Sequence, residues 1–150
     1  MILNMTKTRI YAFTLIEILV VATIIALLAA GATISYSSLT KQSRDAKRKA
    51  DLEQIRSALE MYRSNNNQYI STDTDNNCSS VLGYLISPQK YLESIPNDPK
   101  SNLGYYYRCR ISQNDYTLGA YLESGGTTCP VTLSCGLSNC NYCLGPYGKK

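Results

Sequence analysis

The sequence predicts an α+β fold in which one long N-terminal α-helix packs on a small antiparallel β-sheet and a cysteine-rich tail follows. Three observations predict it. No charged side chain occurs from Ile18 to Thr40, an apolar stripe of Leu52, Ile55, Leu59 and Tyr62 continues at helical spacing, and alternating segments between Tyr105 and Leu122 precede a tail holding four of the six cysteines. Spacings of three and four mark one face of a helix, and alternation marks half-buried strands.

At 150 residues the chain has room for one modest domain and an appendage. It carries 15 Lys and Arg against 11 Asp and Glu, and with Lys7 and Arg9 set aside in a leader the balance is 13 against 11. So small a surplus does not announce a polyanion-binding face. Arg108 and Arg110 beside Tyr106, with Lys149 and Lys150, suggest single-stranded nucleic acid through charge and stacking, but too few cations cluster to favour that partner.

The amino terminus decides more. Met1 to Ala12 holds two cations and no acid, and runs directly into a long apolar segment. As a helix, Ile18 to Thr40 extends about 34 Å, enough to cross a hydrocarbon core of roughly 30 Å. The bland alternative is an ordinary signal peptide cut at Ala30-Gly31-Ala32. Two features oppose it: the segment outruns the usual ~7 to 15 apolar residues, and Glu17 sits inside its leading edge. A charge at membrane depth costs roughly 2.5 to 3.5 kcal/mol, so Glu17 needs a partner.

Phe13-Thr14-Leu15-Ile16-Glu17 ahead of a long apolar helix closely resembles the class III leader junction of type IV pilins and type II secretion pseudopilins. The resemblance implies that a prepilin peptidase cuts between Ala12 and Phe13 and that Phe13 becomes N-methylated. Relatives usually carry glycine where Ala12 stands, and alanine is the nearest small substitute. It also implies a filament-assembly contact, in which the Glu17 carboxylate of one subunit pairs with the Phe13 amine of its neighbour and pins the register. The implied partners are identical or related subunits, the prepilin peptidase, a pilus assembly platform and the membrane before assembly. No cofactor is implied.

The same resemblance places the chain as a single-pass inner-membrane protein with its head outside the cytoplasm, and later in an extracellular filament. Counting positive charges alone favours the opposite topology, because Lys41, Arg44, Lys47, Arg48 and Lys49 outnumber Lys7 and Arg9. The leader takes precedence, since the processed end is cytoplasmic in this family. The expected organisation is a leader over 1–12, a transmembrane and filament-core half of the helix over 13–40, an amphipathic half over 41–66, and a globular head over 67–150.

The amphipathic half resembles the helix end of major pseudopilins from Leu52 to Tyr69. Asp45 with Lys49, Glu53 with Arg56 and Glu60 with Arg63 read as solvated ion pairs worth about 0.2 to 0.5 kcal/mol each. No proline interrupts Phe13 to Arg63, and Asn65-Asn66-Asn67 supplies the stop, because asparagine tolerates the left-handed conformation. Val81 to Ile86 reads as a short helix or turn. After Ile95-Pro-Asn-Asp-Pro99 comes a hairpin with Tyr105, Tyr107, Cys109 and Ile111 on one face, Leu118, Ala120 and Leu122 opposite, and a turn at Asn114-Asp115. Its apolar face is expected on the helix stripe.

Cys78, Cys109, Cys129, Cys135, Cys140 and Cys143 are the disulfide candidates, fitting an oxidising compartment and a head too small to rely on burial alone. Six cysteines allow 15 connectivities, and the sequence does not choose among them. The rival is zinc on Cys129, Cys135, Cys140 and Cys143, although a single Cys-x2-Cys knuckle and the lack of histidine speak against it. Major pseudopilins often hold calcium through acids after a Leu-Gly-Ala-like strand, but Leu118-Gly119-Ala120 is followed here by Tyr121-Leu122. Asp73, Asp75 and Asp98 read as loop acids for solubility or turn capping, so no metal site is assigned.

With no histidine, nucleophile elbow or phosphate loop, an enzyme is not expected. The leading reading is a structural subunit of a type IV pilus or pilus-like filament. The alternatives are a type II secretion pseudopilin and a secreted or tethered cysteine-rich binding module.

Overall fold

The computed structural model describes residues 13–70, 76–87 and 90–150. The leader with Ala12, and the loop acids Asp73 and Asp75, lie outside the described residues. The chain divides into two units, one ending at Ser38 and one beginning at Leu39.

Helix α1 runs from Leu15 to Asn66. In the first unit Phe13 and the helix side chains Leu15, Ile16, Leu27 and Leu28 stand open. By length and composition this stretch can cross a membrane, and none of its most apolar window is buried within the chain. The helix ends as its sequence directs. Asn67 takes a left-handed φ of 59° and its N–H returns to the Arg63 carbonyl at 2.8 Å.

In the second unit, Leu52, Ile55, Ala58 and Leu59 are buried against a five-stranded antiparallel sheet in simple chain order. The strands are β1 Asn76–Asn77, β2 Arg108–Ile111, β3 Tyr116–Ala120, β4 Tyr142–Gly145 and β5 Gly148–Lys149. Between β1 and β2 lie two four-residue helices, α2 Cys78–Val81 and α3 Gly83–Ile86, followed by a 3₁₀ turn at Ser101–Leu103. The expected hairpin is β2–β3, with Ile111 opposite Tyr116 and the Ser112 N–H closing the loop on the Asp115 carbonyl at 2.8 Å.

Two expectations about this hairpin are corrected. The first strand begins at Arg108, not Tyr105: the Tyr107 carbonyl instead accepts the Cys78 N–H at 3.0 Å, and the Tyr106 N–H points to the Cys135 carbonyl at 3.5 Å. Leu122 falls beyond β3, where its N–H donates to the Asn141 side chain at 2.6 Å.

Every residue of β3 is buried, so the sheet is covered on both faces. The helix stripe covers one. The cysteine tail covers the other, with Leu133, Cys135, Cys140 and Cys143 forming a second small core. Gly119 makes that layer fit, since a Cβ there would stand 2.8 Å from Cys140 Sγ and 3.3 Å from Leu133.

Gly136 is constrained twice. Its φ of 92° disfavours any side chain, and an added Cβ would run into the Gly104 carbonyl oxygen. Gly136→Ala is expected to cost at least about 1 kcal/mol through backbone strain alone, read as a lowered melting temperature of the full chain in detergent. Thr132→Ala, at an exposed tail position, should leave melting nearly unchanged.

Candidate functional site

Glu17 is the residue on which the sequence reading turns. Helix α1 starts at Leu15, so Thr14 is its N-cap and Glu17 its third helical residue. The Glu17 N–H donates to Thr14 Oγ1 at 3.3 Å, and Glu17 Oε2 accepts the Thr14 N–H at 3.4 Å. This is a capping box, a Thr-x-x-Glu pattern that satisfies two otherwise idle helix-end donors. The spacing of Thr14 and Glu17 is by itself a sequence signal for this cap. Phe13 stands 76 % exposed beside it. Among the described residues Glu17 has no cationic partner within the chain, so its capping contacts leave the carboxylate's charge uncompensated.

The head holds a second, unexpected polar centre around Arg48, whose side chain is completely buried. Its guanidinium grips Asp98 with two bonds, Nε to Oδ2 at 2.8 Å and Nη2 to Oδ1 at 3.0 Å. Nη1 donates to Asp45 at 2.9 Å and to Glu123 at 3.0 Å. Glu123 in turn takes both a bidentate grip from Arg44 at 2.7 Å and Lys100 Nζ at 2.7 Å. Asp45 also accepts the N–H groups of Glu123 and Ser124 at 2.9 and 2.8 Å. Three cations therefore meet three carboxylates, and helix α1 is tied to the loop before the 3₁₀ turn and to the chain leaving β3.

The electrostatics follow from the contacts. The hydrogen bond from Arg44 leads in holding the Glu123 carboxyl far below its usual range; burial opposes it, and Lys100 and Arg48 add to it. Burial works against the Asp45 charge, but the amides of Glu123 and Ser124 and the Arg48 guanidinium outweigh it and lower that carboxyl too. Burial also disfavours charged Arg48, and Asp98, Glu123 and Asp45 together reverse this and raise its pKa.

Three sequence expectations are corrected here. Asp45 pairs with Arg48, not with Lys49, which lies 5.7 Å from the Tyr142 ring centroid. Glu60 accepts the hydroxyls of Tyr69 and Tyr116 at 3.0 and 2.7 Å, while Arg63 donates to Tyr69 instead of to Glu60. Asp98 is not a solvated loop acid: it is buried under Arg48, although it also caps the Lys100 N–H at 2.7 Å. The Glu53–Arg56 pair forms at 3.1 Å on the exposed face.

The six cysteines join as Cys78–Cys109, Cys129–Cys143 and Cys135–Cys140. The four tail sulfurs of the zinc alternative are thus spent on one another. Cys78–Cys109 fastens α2 to β2, and the other two close the tail over the sheet. Of the cations weighed for nucleic acid, Lys150 is bound to Asp115 at 2.7 Å and Arg108 lies over the Tyr106 ring at 5.9 Å.

Residues 7–33 match the family model described as a prokaryotic N-terminal methylation motif. The chain is 34 % identical to the type II secretion system core protein G of Pseudomonas aeruginosa over 125 positions, covering 77 % of this chain and 87 % of the relative. The chain belongs to the type IV pilin and pseudopilin family. No solved structure matches it significantly. Family membership makes this chain a pilin-type structural subunit and disfavours the separate reading of a tethered binding module. A pilin-type subunit with a prepilin motif and a long apolar helix is a substrate for prepilin processing and assembles with related subunits.

The ion network sets the acid sensitivity of this pilin-type head. Folded Glu123 keeps its charge at pH values where the unfolded carboxyl, near its ordinary 4.5, takes up a proton. The unfolded state then binds more protons, so stability is full above about pH 4.5 and falls as the pH drops below it. Melting temperatures of the full chain in detergent should show this slope, and Glu123→Gln should flatten it while lowering the neutral-pH value. Asp98→Asn strips a charge from buried Arg48 and is expected to destabilise by about 3 to 5 kcal/mol, measured by denaturant titration at neutral pH.

Proposed function

We propose that the chain is a structural subunit of a type IV pilus or pilus-like filament, cut between Ala12 and Phe13, N-methylated on Phe13, and held in the membrane by residues 13–40 until assembly. The supporting observation is the leader junction itself: a methylation motif over 7–33 that runs into an apolar helix whose acid, Glu17, has no cationic partner among the described residues. Once Phe13 gains a free amine, that amine on one subunit and Glu17 on the next are the opposite charges nearest to each other along the helix end. Lipid penalises the lone carboxylate until they meet. The incoming subunit is thereby drawn to one axial offset, and the apolar helix faces supply the remaining contact.

In this reading the head stays outside the cytoplasm and forms the filament surface, and a pilus assembly platform lifts the subunit from the inner membrane. No catalytic step is assigned to the chain. A second reading, a pseudopilin working in type II secretion, is favoured by the 34 % identity to a core protein of that system. Deletion of the gene separates the two: loss of surface fibres with normal secretion supports the pilus, and retained fibres with blocked secretion supports the pseudopilin.

Mass spectrometry of the protein from its native membrane is expected to show a mature start at N-methyl-Phe13. A start at Thr33, or an intact Met1, would overturn the proposal. Glu17→Ala should abolish fibres seen by electron microscopy while leaving all three disulfides and the head's melting profile intact. Fibres persisting at normal abundance would remove the register role of Glu17.

A further inference from the structure

Five cations follow the apolar stretch within nine residues, at 41, 44, 47, 48 and 49. The head consumes two of them. Arg48 is wholly buried in its ring of carboxylates and Arg44 is bound to Glu123. Lys41, Lys47 and Lys49 remain exposed. Among the described residues none of the three has an acid partner; Lys49 has the Tyr142 ring at 5.7 Å. The acids of the same helical segment are withdrawn from the surface: Asp45 is buried under Arg48, and buried Asp51 accepts the Tyr107 hydroxyl at 2.6 Å. From Lys41 to Leu52 the exposed unpaired charge is therefore purely positive.

The placement of the three lysines says what they meet. At about 100° per residue, Lys47 lies about 240° and Lys49 about 80° round the helix from Lys41. No gap between them exceeds about 160° on that geometry. A protein partner is read by one helix face, whereas a lipid headgroup layer surrounds a crossing helix on all sides. Lys41 follows directly on Thr40, where the uncharged run ends. Lysine stems are long enough to lay their methylenes along the helix and bend the ammonium back toward a phosphate plane.

We infer that Lys41, Lys47 and Lys49 form a collar that binds anionic phospholipid headgroups while the subunit waits in the membrane. The inference rests on the reading that the apolar stretch spans a bilayer. Field strength falls off over about 8 Å at physiological ionic strength, and the collar rises about 12 Å from Lys41 to Lys49. The contributions are graded, with Lys41 strongest and Lys49 weakest.

The test uses the full chain starting at Phe13, reconstituted in phosphatidylcholine vesicles containing a minority of phosphatidylglycerol. Flotation first shows insertion, and native mass spectrometry then gives the ratio of the two lipids released with the protein, normalised to the bulk. Phosphatidylglycerol should be enriched about fivefold for each lysine close to the surface, less for those further out. High salt should reduce the enrichment, and millimolar inorganic phosphate should not. Lys41→Gln should lower it more than Lys49→Gln, and the triple glutamine variant should bring it to unity with the disulfides intact. Equal release of both lipids by the inserted wild type overturns the inference and assigns the lysines to an acidic neighbouring subunit. Failure to float with either lipid overturns the membrane reading itself.

Discussion

The buried guanidinium of Arg48 is the constraint on which the head depends. A fully desolvated cation is tolerated only where carboxylates reach it with good geometry. Asp98, Asp45 and Glu123 come from the loop before the 3₁₀ turn, from α1 itself and from the chain leaving β3, so three segments must arrive together. A helix shifted by one residue along the sheet would strand Arg48 without its bidentate partner. Replacing the cluster with apolar side chains of similar volume need not lower stability, because desolvation offsets much of the Coulombic gain. What the network supplies is uniqueness: one axial position of α1 satisfies every group, and among the described residues no buried side-chain polar atom is left without a partner.

The tail solves a different problem. A sheet packed on one helix stripe leaves its second face to water, and there β3 offers only Thr117 and Gly119, ill-suited to shield it. Closing residues 129–143 over that face with two disulfides buries Leu133 and the sulfurs themselves. Asn141 completes the join, its side chain both accepting the Leu122 N–H and donating to the Leu122 carbonyl at 2.9 Å, as a neighbouring strand would. The cross-links lower the entropy of the unfolded tail, which matters in a segment with so little apolar surface of its own.

Local periodicity made the helix, its asparagine stop, the apolar stripe and the β2–β3 hairpin legible in the sequence. The two-residue strands β1 and β5, and β4 within the cysteine tail, were not legible. Their pairing is dictated by distant partners and disulfides, and two to four residues carry no period of their own. The ion network left a trace that could have been read. Asp45 and Arg48 extend the stripe of Leu52, Ile55, Leu59 and Tyr62 backward at spacings of three and four, so they lie on the buried face. Proximity along the chain pairs Asp45 with Lys49 and hides this face. Asp98 offered less, because nothing local distinguishes a loop aspartate that caps a turn from one that also closes on an arginine 50 residues away.

Glu17 and Arg48 show the same physics at two stages. Arg48 is an ionic group placed where water is scarce, under the proposed assembly Glu17 is another, and each then settles only where an opposite charge lies at one distance and direction. Arg48 finds its carboxylates within the chain, and the head's register is decided when it folds. Among the described residues Glu17 finds only the neutral cap of Thr14, which orders the helix start and brings no opposite charge. Under the proposed assembly, the difference separates the two events in time: the head is fixed by charges it brings together itself, and the filament by a charge that another subunit must neutralise.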